Sequence, residues 1–132
     1  MPTGWAEFDA LFSHEVLYLL HDLTSHARAT FAALEPGAPY FAVMGVHAGS
    51  RLMSAWHDTV ARDLALPRLY DIDEVVETID GAGFEGSVAR LKVRFGPVSA
   101  RRGGHEHRRG LMDWLDYYGQ EKVLLRFTRP SQ

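Results

Sequence analysis

The chain contains no cysteine, so a disulfide framework, a thiolate zinc site and a cysteine nucleophile are all excluded. No apolar run approaches the length a bilayer requires. The opening Met1-Pro2-Thr3-Gly4-Trp5 has no basic stretch of the kind that begins a secretion signal. The expectation is a cytoplasmic protein with no membrane partner. No Walker loop, dinucleotide fingerprint or G-x-S-x-G elbow is recognised, and the glycines fall at turns, so nucleotide-driven catalysis is not expected. Neither H-E-x-x-H nor E-x-x-H occurs, so no metal and no cofactor are assigned.

What is present fits one α+β domain spanning residues 1–132, long enough to bury a core without staples. The net charge of −3 is unevenly spread. Residues 86–110 carry Arg90, Lys92, Arg94, Arg101, Arg102, Arg108 and Arg109 against one acid, Glu106, leaving the remainder strongly acidic. Such asymmetry fits an internal charge match, a homo-oligomer contact or a surface for an anionic partner.

The longest pattern runs over residues 5–34. Trp5, Phe8, Phe12, Val16, Leu19, Leu23, Thr30 and Leu34 recur at steps of three, four or seven, which predicts one long amphipathic helix. On that wheel Glu15, Asp22 and His26 lie within about 40° of one another at the stripe's border, with Tyr18 on the flank. His14 and His21 fall on the polar side. Glu35-Pro36-Gly37-Ala38-Pro39 stops the helix.

Residues 40–66 repeat the helical period through Ala42, Val46, Gly49, Met53, Trp56, Val60 and Leu64, predicting a second helix and a hairpin with the first. Phe41-Ala42-Val43-Met44 reads equally well as extended chain. Asp71-Ile72-Asp73-Glu74 predicts a short third helix with Ile72, Val75, Val76 and Ile79 inward, although a strand entering Asp80-Gly81 suits the same residues. Residues 87–95 alternate as a half-buried strand with a basic outer face. A fourth helix then carries Leu111, Trp114, Leu115 and Tyr118 and closes at Gly119, and residues 122–128 form a last strand with Val123, Leu125 and Phe127 on one side. The fold class is α+β: an N-terminal helical hairpin packed with a small antiparallel sheet and a further C-terminal helix. Two strands make a marginal sheet, so a third strand or edge pairing in a homodimer is expected.

Two constellations carry chemistry. Glu15, Asp22 and His26 face His57 across the hairpin, which suits a divalent metal or an acid–base pair in which a carboxylate orients an imidazole. These four are the candidate catalytic residues, with Phe12, Tyr18 and Trp56 lining the ligand pocket. The second is the basic strand and loop, where Arg90, Lys92, Arg94, Arg101 and Arg102 supply contacts for an anionic group. Nucleic acid is not expected, because the chain is acidic overall and has no reading motif. His105-Glu106-His107 reads as a solvent-facing loop. The functional expectation is a small, partly apolar ligand bound between hairpin and sheet, with isomerase, cyclase or dehydratase chemistry. The alternative is a non-enzymatic dimeric interaction module whose basic strand meets an acidic partner or phosphate.

Overall fold

Extended pairing wins over the helical period near the amino end of each of the first two long segments. The computed structural model of the chain describes residues 7–91 and 111–132, and within them the predicted N-terminal rod is three separate pieces. Strand β1 (Leu11–His14) comes first, a 3-10 turn at Leu17–Leu19 follows, and helix α1 spans Leu23–Ala33. Asp22 starts α1 by accepting hydrogen bonds from Ser25 N (2.9 Å) and Ser25 Oγ (2.6 Å), a capping role that wheel geometry cannot reveal. Glu15 breaks the path between β1 and α1, with φ at 55°.

Strand β2 (Pro39–Met44) takes the extended alternative left open by the sequence. Tyr40, Ala42 and Met44 are buried on one side while Phe41 and Val43 are only half-buried on the other. The helical hairpin is therefore not formed: the first two segments are instead a β1–α1–β2 unit whose strands run parallel, Leu11 opposite Tyr40 and His14 opposite Val43. A crossover of this kind needs a helix to reverse the chain, and α1 supplies it.

Ser50 caps helix α2 (Arg51–Val60) by accepting from Met53 N at 3.2 Å. Helix α3 (Ile72–Asp80) forms where predicted, with Val75 and Ile79 fully buried. Strand β3 (Glu85–Arg90) begins two residues before the predicted start, and all six of its residues are exposed. Val88 is 57% exposed, so over residues 87–90 the strand is exposed instead of half-buried and is an edge among the described residues; residues 92–95 of the expected strand lie outside them. Helix α4 (Leu111–Asp116) runs on into a π-helical turn at Tyr117–Glu121. Gly119 therefore sits inside the turn and does not terminate the helix. Strand β4 (Val123–Thr128) buries Val123, Leu125 and Phe127, as its alternation requires.

The sheet order is β1-β2-β4-β3. It is mixed, not antiparallel: β1 and β2 are parallel, while β4 runs antiparallel to both neighbours. One face carries the core, where Leu23 and Ala27 of α1 and Val75 and Ile79 of α3 pack with Tyr40, Met44, Leu125, Phe127 and Phe84. Rings at Tyr40, Phe84 and Phe127 meet with centroids 6.0 to 6.5 Å apart, within the range for favourable tilted packing. The opposite face presents Phe12, Phe41, Val43 and Leu124. Among the described residues it has no comparable cover, and Phe12 is 68% exposed. No helix among them is long and apolar enough to cross a membrane.

Candidate functional site at the carboxyl ends of the parallel strands

Topology brings three chain ends to one rim. Strands β1 and β2 both finish there, at His14 and Met44, and antiparallel β4 starts there, with Val123 opposite Met44. The next residues outward are therefore Glu15, Gly45 and Lys122. In sheets built on parallel crossovers, ligands collect at the carboxyl ends of the strands.

Glu15 is the centre of this rim. Its backbone donates to Val43 O at 2.9 Å, which holds the residue in its left-handed conformation and aims the side chain across the strand ends. Gly45 N donates to Glu15 Oε2 at 3.1 Å, Tyr117 Oη donates to Oε1 at 3.4 Å, and Lys122 Nζ lies 3.1 Å from Oε1. The Lys122 side chain is only 8% exposed. Its ammonium also stands over the Tyr117 and Tyr118 rings, 5.7 and 5.4 Å from their centroids, a favourable place for a desolvated cation. Gly45 permits this convergence, because a Cβ there would lie 2.2 Å from Tyr117 Oη and 2.8 Å from Glu15 Oε1.

A second set of polar contacts continues the rim along the β2–α2 loop. His47 Nε2 donates to Glu121 O at 2.5 Å and its Nδ1 accepts from Gly49 N at 3.1 Å. Ser50 Oγ donates to Glu121 Oε2 at 3.0 Å, and Arg51 pairs with Asp113 at 2.8 Å. Together these tie α2 to the π-helical turn, an irregularity that often marks functional positions. Tyr18 stacks edge-on against Trp56 with centroids 6.0 Å apart. Burial pushes its hydroxyl pKa up, and the negative charge of Glu15 adds to the rise.

Of the sequence-predicted catalytic residues, only Glu15 joins this network. Asp22 is the cap of α1, and its hydrogen bonds with Ser25 hold its carboxyl below the usual range. His26 turns to the core face, where Nε2 meets Tyr40 Oη at 3.0 Å and Tyr40 Oη meets Ser13 Oγ at 2.9 Å. Burial lowers the imidazole pKa. His57 is buried and bonded to Pro67 O at 2.8 Å. The shared helix face that grouped these residues does not exist. Phe12 points to the uncovered sheet face, Tyr18 and Trp56 flank the rim, and Arg90 donates from Nε to Gln120 O at 3.3 Å. Lys92, Arg94, Arg101, Arg102 and His105-Glu106-His107 lie outside the described residues. Among the described residues no group of three or more His, Asp or Glu side chains is arranged to hold a metal ion.

Sequence reasoning missed Lys122, Tyr117, Gly45 and His47. Gly81-Ala82-Gly83-Phe84-Glu85-Gly86 spells G-x-G-x-x-G, yet it runs from the end of α3 into β3. A nucleotide fingerprint needs the reverse order, strand then helix, so that N–H groups point at the ligand.

No family model matches the chain, and no characterised protein matches it by sequence. Solved structures do share its fold. A chain of the Haloferax volcanii complex between the Trm112 methyltransferase activator and a methyltransferase superposes with a TM-score of 0.74 at 15% identity, covering 98% of this chain and 57% of that one. A SAM-dependent methyltransferase from Thermotoga maritima gives 0.65 at 16% identity, covering 98% and 59%. Geranyl diphosphate C-methyltransferase from Streptomyces coelicolor, solved with Mg2+, geranyl diphosphate and S-adenosyl-L-homocysteine, gives 0.64 at 14%, covering 97% and 49%. The fold is thus that of the SAM-dependent methyltransferases, and the chain spans little more than half the length of the first two. This likeness overturns the expected isomerase, cyclase or dehydratase chemistry, and equally the non-enzymatic interaction module.

Proposed function

We propose that the chain is the acceptor-side portion of a SAM-dependent methyltransferase, with the rim around Glu15 facing the group to be methylated. The observation that carries this reading is the superposition of 98% of the chain on a chain of the Haloferax volcanii complex at a TM-score of 0.74. Placement of the polar network at the carboxyl ends of β1 and β2 supports it, because that is where crossover sheets bind ligands.

The described residues do not make a complete cradle for S-adenosylmethionine. Gly45 and Gly49 lie in the turn from β2 into α2, but the amino ends of α1 and α2 are filled by the chain's own Asp22 and Ser50. What the rim supplies is orientation. Glu15 is a carboxylate held by a backbone N–H, a tyrosine and a buried ammonium, and it accepts an N–H or O–H from a polar methyl acceptor at Oε1 or Oε2. Tyr18 and Trp56 give the acceptor an aromatic wall.

The experiment is photolabelling with methyl-tritiated S-adenosylmethionine, using protein purified from its own cells under non-dissociating conditions. Label is expected on the preparation, competed by S-adenosylhomocysteine, and weakened by Lys122→Met in the rim. An unlabelled preparation would sink the reading.

A further inference from the structure

One short loop, from β2 into α2, reaches both partners of the ion pair at the rim. We infer that His47 of this loop is a positioning residue: acting through Glu121, it sets where the Lys122 ammonium stands against Glu15. Its bearing on the methyl acceptor rests on the methyltransferase reading above, whereas its hold on the ion pair is independent of that reading.

Gly45 N donates to Glu15 Oε2 at 3.1 Å. Two residues further on, His47 Nε2 donates to Glu121 O at 2.5 Å, across 74 residues of sequence. The peptide group joining Glu121 to Lys122 is thereby held at both ends, because Lys122 N donates to Tyr117 O at 2.8 Å. Ser50 Oγ adds a third hold through Glu121 Oε2 at 3.0 Å. Strand β4 begins at the next residue, Val123, so the orientation of that peptide group decides the direction in which the Lys122 side chain leaves the backbone. From there Nζ comes to 3.1 Å from Glu15 Oε1.

Burial and tautomer suit His47 to this role. The residue is 5% exposed, so losing the bond to Glu121 O would leave a buried donor unpaired. Gly49 N donates to Nδ1 at 3.1 Å, which requires a lone pair there and puts the ring proton on Nε2, the nitrogen that meets Glu121. The loop backbone is itself pinned beside the ring, with Ser50 N donating to His47 O at 3.0 Å and Ala48 N to Tyr70 O at 2.9 Å. A ring fixed to its own loop through one nitrogen thus fixes Glu121 through the other.

Substitution separates the two nitrogens. In His47→Gln the amide nitrogen reaches about as far as Nε2 and can donate to Glu121 O. In His47→Asn the amide oxygen stands near the place of Nδ1 and can accept from Gly49 N, but the donor to Glu121 is gone.

The test follows hydrogen exchange of the Lys122 ammonium by heteronuclear NMR in the 132-residue chain, with the signal assigned by its loss in Lys122→Met. In the parent and in His47→Gln, exchange should be slower than that of a free lysine side chain by about tenfold. His47→Asn should lose most of this protection. His57→Ala removes another buried histidine contact of α2 and should leave the Lys122 signal as it is in the parent. Equal protection in His47→Asn and the parent would overturn the inference, and so would loss of protection in His57→Ala, which would mark a general loosening. Should His47→Asn fail to fold, Ser50→Gly takes its place, since glycine is a tolerated cap and the change removes the other hold on Glu121: faster exchange at Lys122 upholds the inference and unchanged exchange overturns it. The same proteins are photolabelled with methyl-tritiated S-adenosylmethionine. The predicted exchange pattern with no label on any of them, parent included, would uphold the role of His47 and defeat the methyltransferase reading. Label on the parent with equal exchange in His47→Asn would do the reverse.

Discussion

Breaking the Glu15–Lys122 pair one partner at a time, and then both together, tests whether the rim is a coupled unit. Lys122 Nζ and Glu15 Oε1 are 3.1 Å apart, with side chains 8% and 21% exposed, so each charge is largely desolvated and depends on the other. Removing one partner of a fully buried pair costs about 3–5 kcal/mol, because the other charge is left behind. Partial exposure of Glu15 places each single change near the lower end, about 3 kcal/mol for Glu15→Gln and for Lys122→Met. Replacing both leaves no orphaned charge, since neutral groups of similar size often substitute for a buried pair at little cost. The double variant should therefore lose far less than the roughly 6 kcal/mol to which the two single losses sum. Urea denaturation at pH 7, with equal slopes across the four proteins, gives the four free energies directly. Additive losses would refute the reasoning: the two side chains would then be solvated independently and the rim would not be a unit.

Gly45→Ala should cost about 1–3 kcal/mol, the range for overpacking, because its Cβ would lie 2.2 Å from Tyr117 Oη; an unchanged urea midpoint would contradict the close approach. His57→Ala should lose about 1–3 kcal/mol by orphaning the contact with Pro67 O, whereas His14→Ala on exposed β1 should stay within about 0.5 kcal/mol, and equal melting temperatures would count against that assignment. His26 has its pKa lowered below the ordinary 6.5 by burial, so the unfolded chain takes up its proton first. Its contribution is fully present above pH 6.5 and is lost as pH falls through that value towards the folded pKa. His26→Gln should flatten this part of a melting-temperature profile between pH 8 and 5, and a profile identical to the parent would contradict it.

The readable parts of the sequence were those where the favoured local period agreed with the tertiary pairing, even where, as at residues 72–79, a strand suited the same residues. The alternation of Val123, Leu125 and Phe127 and the spacing of Ile72, Val75 and Ile79 each forecast an element that formed. Residues 5–34 misled because Phe8 and Phe12 fit a helical stripe as well as an extended chain. Pairing of β1 with β2 decided the matter, and that contact lies some thirty residues away in sequence, beyond the reach of a local pattern. The candidate site was legible only at Glu15, with Tyr18 at its flank. Lys122, Tyr117 and Gly45 are joined to Glu15 by sheet topology alone. Asp22 was noticed for its charge, although Asp22-Leu23-Thr24-Ser25 carried a capping signal that would have ended the long helix.

The most direct measurement of the central claim is a co-crystal structure of the protein, purified from its own cells, with S-adenosylhomocysteine. The ligand is expected at the carboxyl ends of β1 and β2, within contact of residues 15–18, with Glu15 still bonded to Gly45 N and Lys122. A ligand bound instead beside the glycines at 81–86, or on the core side near His26, would contradict it.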